Sequence, residues 1–368
     1  MARTTGIVRS MARTAVLLSY RLGGTDGVSV EAGKWEWALR TLGFTTRRVA
    51  GQLCDEPRSD DLTLPGIAIH APSGAADARQ VATALEGADL VVAENICSLP
   101  INARASYAAS DALAHHSGRI VFHHHDLPWQ RAELASIRGL PPDLPGALHV
   151  VVNGRSREEL AARGITAHTI HNTFDFDAPT GDRDTARAKL GLAADELVVL
   201  QPTRAIRRKN VPGGLRFAEA LAGFVPDRPV VYWLTGPAED GYDRELAQAM
   251  ATTVLRVVQG RARYTVDAYA AADVVVFPST WEGFGNPVIE SVVARRPLAV
   301  HRYPVLDEIV AGMRVFSVDD PGAVAAWLRA PDHALLEANR EVARRDFSLA
   351  DLPGRLDAAF ATNGWTSW

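Results

Sequence analysis

The chain alternates short, continuously apolar runs with stretches of helical periodicity, and this alternation constrains its fold more than any other feature. A run without polar positions is typical of a parallel β-strand that is buried on both faces. Strands that alternate with helices predict right-handed βαβ units and doubly wound α/β sheets. The predicted strands are Ala15–Tyr20, Leu90–Glu94, Arg119–His123, Leu148–Val152, Leu197–Gln201, Val230–Leu234, Asp273–Phe277 and Leu298–His301.

Helical patterns occupy the intervals between these apolar runs. After about Pro331 the chain is predicted to be helical to its end, without a further strand. The predicted helices between the strands are Val28–Leu42, Asp77–Leu85, Arg157–Arg163, Leu215–Leu221 and Asn286–Ala294.

The length of 368 residues exceeds what one ordinary hydrophobic core accommodates and predicts two domains. The alternation stops once, at 174–187, where the sequence FDFDAPTGDRDTAR is polar and turn-forming and predicts a linker. We therefore expect an N-terminal tail at 1–12, a first domain at 13–175, a second domain at 176–345, and a terminal helix at 346–368 that packs back on the first domain. Two facing α/β domains leave a cleft at the carboxyl ends of their strands, where such sheets bind ligands.

Composition and charge exclude several classes of protein. The net charge of −4 is unlike that of a general nucleic-acid-binding protein, which needs a basic surface. No window approaches the roughly 18–20 continuous apolar residues of a membrane span, and no apolar segment near the N-terminus predicts a secretory signal. The two cysteines, Cys54 and Cys97, lack a metal-ligand spacing, so we expect free thiols in a reducing, cytoplasmic setting.

The most specific motif is DVVVFPSTWEGFGNPVIESVV, which begins with a buried strand at Asp273. Its glycines, in 283–285, are predicted to form the loop before a helix, with Asn286 as the N-cap and Pro287 as the first helical residue. Backbone N–H groups at the amino end of a helix readily bind a phosphate or a sugar hydroxyl.

Two glutamates, Glu282 and Glu290, flank this loop at a spacing of eight residues. Each carboxylate is a candidate to accept hydrogen bonds from hydroxyls of a sugar or a ribose. Each feature also has an ordinary explanation, since the helix dipole favours an acid near its amino end and glycines suit a common strand-to-helix turn. Their joint occurrence in one register favours a binding site.

A basic motif, LQPTRAIRRKN, follows a predicted strand directly. Arg204 and Lys209 leave the carboxyl end of that strand, and a forked guanidinium with an ammonium suits a diphosphate. Arg207 or Arg208 are alternatives for the same task. The cations also suit catalysis, because cleavage of a nucleotide sugar builds negative charge on the leaving diphosphate. A solvated basic loop is the alternative interpretation.

Two further segments lie at predicted strand ends in the first half. Gly23 and Gly24 follow the first strand and allow the backbone to approach a ligand closely, although no G-x-G-x-x-G fingerprint is present. His123, His124 and His125 end a later strand and suggest zinc. Because adjacent strand residues point to opposite faces, three consecutive histidines do not share one metal readily. We therefore expect no metal and favour a histidine that hydrogen-bonds a sugar hydroxyl.

Together these motifs resemble the family 4 retaining glycosyltransferases of the GT-B fold, over roughly residues 14–345. Glu282 and Glu290 match the family's paired glutamates, and Arg204 and Lys209 match the basic pair that clamps the donor diphosphate. His125, directly before an aspartate, is similar to the family's active-site histidine. Gly23 and Gly24 are similar to its first-strand glycine loop.

The resemblance implies two facing Rossmann-like domains, with the donor bound by the second. Glu290 would bind the donor ribose, and Glu282 would hold the transferred sugar and phosphate with the backbone amides of Gly283, Phe284, Gly285 and Asn286. It also implies a UDP- or GDP-linked sugar donor, no cofactor, retention of configuration, and a leaving phosphate that serves as the base. The acceptor would be a small molecule, a glycan or a lipid.

Other classes of protein fit the sequence less well. A GT-B epimerase would release free nucleotide without an acceptor, and a phosphorylase of the pyridoxal phosphate type needs a Schiff-base lysine. The lysines are few, at Lys34, Lys189 and Lys209. A two-domain sugar-binding protein would normally carry an export signal, and a degenerate partner subunit would not be expected to keep the complete set of charged residues.

Overall fold

The computed structural model describes residues 13–71 and 77–366, and the predicted tail at 1–12 lies outside the described residues. By its internal packing the chain divides into two compact units, Met1–Thr173 with Ala350–Trp368, and Phe174–Leu349. Each unit contains one sheet whose paired strands are all parallel. No helix within the described ranges is both long enough and apolar enough to cross a lipid bilayer.

The first unit is built on a seven-stranded sheet in the order β3-β2-β1-β4-β5-β6-β7. Apolar side chains such as Val16, Leu18, Val91 and Phe122 form its core. Its strands are β1 (Arg13–Leu22), β2 (Phe44–Leu53), β3 (Leu62–Thr63), β4 (Leu90–Glu94), β5 (Arg119–His124), β6 (Leu148–Val151) and β7 (Ala167–Thr169). The helices between them are α1 (Gly27–Thr41), α2 (Ala78–Ala84), α3 (Ala103–Ala114) and α4 (Gly154–Ala161).

The second unit is built on a six-stranded sheet in the order β10-β9-β8-β11-β12-β13. Its strands are β8 (Leu197–Gln201), β9 (Val230–Leu234), β10 (Arg256–Gln259), β11 (Val274–Phe277), β12 (Leu298–Val300) and β13 (Phe316–Ser317). Its helices are α5 (Arg183–Lys189), α6 (Val211–Phe224), α7 (Asp243–Thr252), α8 (Thr265–Ala271), α9 (Asn286–Val293), α10 (Leu306–Ile309), α11 (Pro321–Arg329) and α12 (His333–Phe347). The last helix of the chain, α13 (Leu352–Thr362), belongs to the first unit and packs against α1.

The predicted strands and helices are all present, within a few residues of their predicted bounds. Strand β2 was not predicted, because its sequence FTTRRVAGQL mixes polar with apolar positions. The four edge strands, β3, β7, β10 and β13, were not predicted either. Each is short and at most partly buried, so none has the continuous apolar run that marks a central strand.

The structure corrects the predicted linker at 174–187. Phe174 and Phe176 are buried in the second unit, and α5 begins within the segment. Asp182 caps this helix by accepting a hydrogen bond from the backbone N–H of Thr185 at 3.0 Å. The acidic and polar residues that predicted a linker therefore include a helix N-cap, a role for which aspartate is also favoured.

Asp273, at the head of the strand in the glycine-rich motif, holds α5 against the sheet of the second unit. Its carboxylate accepts hydrogen bonds from Arg183 and Arg187, each at 2.7 Å, and from the backbone N–H of Val198 at 2.8 Å. Arg187 is 4% exposed and also donates to the carbonyl of Ala271 at 3.0 Å. Asp273 is thus the counter-charge of a buried guanidinium.

We expect Asp273→Asn to lower the free energy of unfolding of the second unit by about 3–5 kcal/mol, because asparagine leaves the Arg187 guanidinium buried without a counter-charge. Urea unfolding followed by circular dichroism measures this loss. Asp307→Asn is the matched control, because Asp307 pairs with Arg302 at the surface, where such pairs contribute about 1 kcal/mol or less. Equally small losses in both variants would contradict the role of Asp273.

Candidate functional site

The loop between β11 and α9 has a conformation that is fixed by a buried tyrosine. Gly285 caps α9 with a φ of 100°, so the predicted N-cap, Asn286, is instead the first residue of the helix. A side chain at Gly285 would collide with the hydroxyl of Tyr303, and that hydroxyl donates to the carbonyl of Phe284 at 2.8 Å. Glycine is required here for both reasons, because other residues rarely adopt this backbone region.

The carboxylate of Glu282, in the same loop, is the centre of a buried ion cluster. Its Oε1 accepts from Nζ of Lys209 at 2.5 Å, and its Oε2 accepts from Nη1 of Arg208 at 2.6 Å. Glu282 is 6% exposed and Lys209 is 9% exposed. The Lys209 ammonium also lies 5.3 Å from the centre of the Phe277 ring, and Arg208 donates to the carbonyl of Trp281 at 2.9 Å.

Backbone hydrogen bonds hold the loop after β8 beside the loop after β11. Thr280 donates from its backbone N–H to the carbonyl of Arg208 at 2.9 Å. The side chain of Gln201, the last residue of β8, donates to the carbonyl of Lys209 at 2.9 Å. Asn210 adopts a left-handed φ of 50° and caps α6, with its Oδ1 accepting from the N–H of the third helical residue at 3.1 Å. These hydrogen bonds hold the two loops side by side.

Burial and charge set the protonation of this cluster. Burial raises the pKa of Glu282, but the attraction of Lys209 and Arg208 outweighs this effect and lowers the pKa to about 2. Burial lowers the pKa of Lys209 to about 8, although Glu282 opposes the change. At neutral pH the carboxylate and the ammonium are therefore both charged.

The remaining arginines of the basic motif occupy different positions. Arg204 donates to Oε2 of Glu239 at 2.6 Å, and its positive charge contributes to the lowered pKa of Lys209. The side chain of Arg207 is 67% exposed and pairs with an acidic side chain on α7. Of the two predicted alternatives, Arg208 thus joins the Glu282 cluster, and Arg207 does not.

The second glutamate of the motif, Glu290, lies in α9 and is held by a phenol. The Oη of Tyr269, on α8, donates to Oε2 of Glu290 at 2.6 Å. Tyr269 is 2% exposed, and burial raises its pKa well above the ordinary value, so its hydroxyl remains protonated and donates. Glu290 is partly exposed, whereas its partner is enclosed.

In the first unit, Glu94 meets two of the three consecutive histidines where β4 and β5 end. Its Oε2 accepts from Nδ1 of His123 at 2.8 Å and from Nε2 of His125 at 3.1 Å. Glu94 is fully buried, and the ring of His123 stacks on Trp35 with centroids 4.1 Å apart. Burial raises the pKa of Glu94, but its interactions with His123 and His125 lower the pKa to about 2. His125 is the most exposed of the three, at 8%.

His124 points to the opposite face of the sheet. Its Nδ1 lies 2.5 Å from Oγ of Ser98, and its Nε2 lies 2.9 Å from Nδ1 of His149. His123 and His125, two residues apart, do share a face, and their nitrogens lie with a carboxylate oxygen of Glu94 within 4.8 Å of one another. Strand alternation therefore separates only His124 from the other two. The absence of a metal stays a prediction.

The glycine loop of the first unit begins with Gly23 in a left-handed conformation, at φ 71°. The carboxylate of Asp55 lies where a side chain of Gly23 would be, and the carboxylate of Asp26 lies close to Gly24. Asp26 caps α1 by accepting from the backbone N–H of Ser29 at 3.2 Å. A cavity of about 290 Å³ lies beside this loop, and its lining includes Gly23, Gly24, Ser29, Glu36, Arg48 and Asp55.

Three contacts that shape these groups were not predicted from the sequence. Glu94 ends a continuously apolar strand and was counted only as its last residue. Tyr269 lies 21 residues from the glutamate that it contacts, and Tyr303 lies 18 residues from the glycine that it contacts, and no motif links those positions. One feature of the sequence could have identified the contact of Glu94. Strands β4 and β5 were predicted correctly, and neighbouring parallel strands end at the same edge of a sheet, so Glu94 could have been expected to lie near the histidines that end β5.

Residues 203–330 match the family model described as "Glycosyl transferases group 1". The chain is 28% identical to mannosylglucosylglycerate synthase of Thermotoga maritima, over 83% of this chain and 84% of that protein. It is 25% identical to the protein of the same name in Petrotoga mobilis, over 89% and 91% of the two chains. It is 33% identical to D-inositol 3-phosphate glycosyltransferase 1 of Catenulispora acidiphila, over 47% and 45%.

Solved structures share the architecture. Sucrose-phosphate synthase of Thermosynechococcus elongatus aligns with a TM-score of 0.72 at 17% identity, over 96% of this chain and all of that chain. HepE of Anabaena, solved in complex with UDP and glucose, aligns with a TM-score of 0.68 at 17% identity, over 94% and 99% of the chains. These similarities establish the fold.

We expect Glu282→Gln to lower the free energy of unfolding by about 3–5 kcal/mol, because the buried ammonium and Arg208 lose their counter-charge. Lys209→Met should cost less, since Arg208 still neutralises Glu282. Urea unfolding measures the loss in the free energy of unfolding for each variant. The loss in the double variant should be smaller than the sum of the losses in the two single variants, and the difference should exceed about 1 kcal/mol, as for groups in direct contact.

A second double-mutant cycle, on the exposed pair of Arg207 and Glu245, is the control. Arg207→Met and Glu245→Gln should show a coupling of at most about 1 kcal/mol. Additive losses in the Lys209 and Glu282 cycle would contradict the buried pairing.

Proposed function

We propose that the chain, which matches the group 1 glycosyltransferase model over residues 203–330 and resembles the family 4 enzymes of the GT-B fold, transfers a sugar from a UDP- or GDP-linked donor with retention of configuration. The observation that carries the proposal is the cluster in which Lys209 and Arg208 hold Glu282 beside the amino end of α9. Cations and backbone N–H groups at one place are the groups that bind a diphosphate.

In this proposal the donor diphosphate binds Lys209 and Arg208, with Arg204 as a third cation. Three cations face two carboxylates, those of Glu282 and Glu239, so the cluster has positive charge left for an anionic ligand. As the bond between the sugar and the phosphate breaks, charge grows on the leaving oxygen, and preorganised cations stabilise it. The acceptor oxygen forms the new bond, and its proton passes to an oxygen of the leaving diphosphate.

Glu282 is proposed to position the transferred sugar and not to attack it. Both of its oxygens already accept hydrogen bonds from cations, which reduces the nucleophilicity of the carboxylate. The backbone amides of 283–286 would bind sugar hydroxyls or phosphate beside it. This arrangement supports front-face attack with retention, in which the leaving phosphate serves as the base. The contact of His125 with the sugar stays a prediction.

We propose a small, hydroxyl-bearing acceptor. The relatives that align over most of the chain are named for a small product, mannosylglucosylglycerate, and others are named for D-inositol 3-phosphate. The cavity beside Gly23 is a candidate for the acceptor, since Glu36 and Asp55 in its wall are hydrogen-bond acceptors for hydroxyls. The cytoplasmic location stays a prediction.

A thermal-shift screen against UDP, GDP and their sugar conjugates tests the proposal. A ligand at 100 times its Kd should stabilise the second unit by about 2.7 kcal/mol, which corresponds to a rise in the Tm of that unit on the order of 5–10 °C. Lys209→Met should abolish the shift, because it removes a buried cation of the site. Arg207→Met is the control and should keep the shift, because Arg207 lies outside the cluster. No shift with any nucleotide, or an undiminished shift in Lys209→Met, would refute the donor site.

We also propose that transfer needs no metal ion, because side chains and backbone amides hold the diphosphate. Addition of EDTA should leave the rate of UDP or GDP release from the donor within about twofold of the untreated rate, since a twofold change corresponds to less than 1 kcal/mol in barrier height. Complete loss of activity with EDTA, followed by recovery with Mn²⁺, would contradict metal independence while leaving the donor site intact.

A further inference from the structure

We propose that the acceptor carries a carboxylate, and that this carboxylate binds in the cavity beside Gly23 by taking the place of the Asp55 side chain on Arg48. The inference rests on the proposed function, in which this cavity holds the acceptor, and it adds the chemical class of that acceptor. The observation behind it is that a carboxylate of the chain itself occupies the wall of the cavity, where it pairs with a buried guanidinium.

The guanidinium of Arg48, on β2, is buried and is shared by two carboxylates. Its Nε and Nη2 donate to Oδ2 of Asp61 at 3.0 and 2.7 Å. Its Nη1 donates to both oxygens of Asp55, each at 2.8 Å. The two branches of the guanidinium therefore have separate partners, and Asp61 supplies a counter-charge that does not depend on Asp55.

The carboxylate of Asp61 is fixed, whereas that of Asp55 is exchangeable. The Asp61 side chain is fully buried and also accepts from the backbone N–H groups of Arg48 and Arg58, each at 2.9 Å. The Asp55 side chain is 48% exposed, and among the described residues Nη1 of Arg48 is the only donor to it. Because ion pairs with an exposed partner contribute little to stability, rotation of Asp55 into solvent costs little once another acceptor reaches Nη1.

Rotation of the Asp55 side chain would open space beside the glycine loop. Its carboxylate lies where a Cβ of Gly23 would be. The backbone N–H of Cys54 donates to the carbonyl of Leu22 at 2.9 Å, so the main chain before Asp55 is anchored and only the side chain has to move. The cavity of about 290 Å³ is close to the lower limit for ligand pockets, which suits a ligand about the size of one sugar ring.

A carboxylate is the ligand group that this position favours. Nη1 of Arg48 is a buried donor, and a buried donor without an acceptor is costly, so a ligand that displaces Asp55 must supply one. A planar carboxylate reproduces the contact that Asp55 makes and is a preferred partner of a guanidinium. Leu17, Leu22 and Ala32 form an apolar part of the lining, and a charged hydrogen bond is stronger beside apolar groups than in water.

Titration calorimetry of the full chain with methyl β-D-glucuronide and methyl β-D-glucoside, at constant ionic strength, tests the inference. The two probes have the same ring and differ only in whether carbon 6 is a carboxylate or a hydroxymethyl group. Wild-type protein should bind the glucuronide about tenfold more tightly, as expected for a hydrogen bond between charged groups. Equal affinities, or a lower affinity for the glucuronide, would overturn the inference.

Two variants test the exchange itself. Asp55→Ala should increase the preference for the glucuronide a further threefold to fivefold, because the chain's own carboxylate no longer competes for Nη1. Arg48→Lys should reduce the preference to about one, because lysine keeps a cation for Asp61 but has no second branch that reaches the cavity. A preference that survives in Arg48→Lys would overturn the inference.

Glu56→Gln is the matched control for Asp55→Ala. It removes a negative charge from the same loop, but Glu56 is exposed and does not pair with Arg48. Because solvent and salt screen an exposed charge, the preference for the glucuronide should stay within about twofold of the wild-type value. An equal increase in Glu56→Gln and Asp55→Ala would indicate a general effect of charge and would overturn the inference.

A measurement on Asp55→Ala keeps the inference testable if Arg48→Lys does not fold. The substitution leaves Nη1 of Arg48 without the acceptor that Asp55 supplies, so sodium acetate should raise the Tm of this variant above its Tm in sodium chloride of the same ionic strength. Wild-type protein should show a smaller rise, because Asp55 occupies the position. An equal rise in the wild type, or a rise with inorganic phosphate and none with acetate, would overturn the assignment of a carboxylate.

The outcomes distinguish this inference from the proposed function. The titrations contain no nucleotide, so they measure the cavity independently of the donor site at Lys209. A nucleotide-induced thermal shift that requires Lys209, together with no preference for the glucuronide, would overturn the inference alone. A preference that depends on Arg48 and Asp55, without binding of any nucleotide, would support the carboxylate site and refute the proposed transfer.

Discussion

The shared hydrogen bonds of Glu282 with Lys209 and Arg208 are the interaction on which the site of the second unit depends. A carboxylate that is 6% exposed must be paired, because an isolated buried charge is very unfavourable. The partners come from the loop after β8, and Glu282 comes from the loop after the neighbouring strand β11. A parallel sheet brings those two strand ends side by side, so topology supplies the proximity and charge pairing fixes the geometry.

The same cations serve two purposes. They neutralise Glu282 in the protein alone, and in the proposed reaction they also bind the diphosphate. Burial lowers the pKa of Lys209 to about 8, so its ammonium remains the main form at neutral pH but is less strongly favoured over the amine than in an exposed lysine. An added phosphate would favour the charged form, because a nearby anion stabilises an ammonium. The cluster is thus formed before the ligand binds, and an anionic ligand would stabilise its cations further. Electrostatic preorganisation requires this combination.

Much of the fold and part of the site could be predicted from the sequence, and the reason differs for each part. Central strands were found because burial on both faces demands continuous apolar runs, whereas β2 and β10 lack such runs. Glu282 and Lys209 were predicted as site residues because each lies in a local motif. Their direct pairing was not predicted, and neither was the partner of Glu290. Those contacts depend on which strands are neighbours and on where a helix such as α8 packs, and neither is encoded at a fixed spacing along the chain.

The two units arrange their polar groups by the same topological rule. In the first unit, Glu94 ends β4 and contacts His123 and His125 at the end of the neighbouring strand β5. In the second unit, Glu282 follows β11 and contacts Lys209 beyond β8. In both cases a buried carboxylate receives two hydrogen bonds from one adjacent strand end, and this fixes side chains that a loop alone would leave mobile. In both clusters the partner on the neighbouring strand end determines the orientation and the charge of the carboxylate. A functional residue in such a sheet is therefore better recognised by this buried partner than by its own sequence motif.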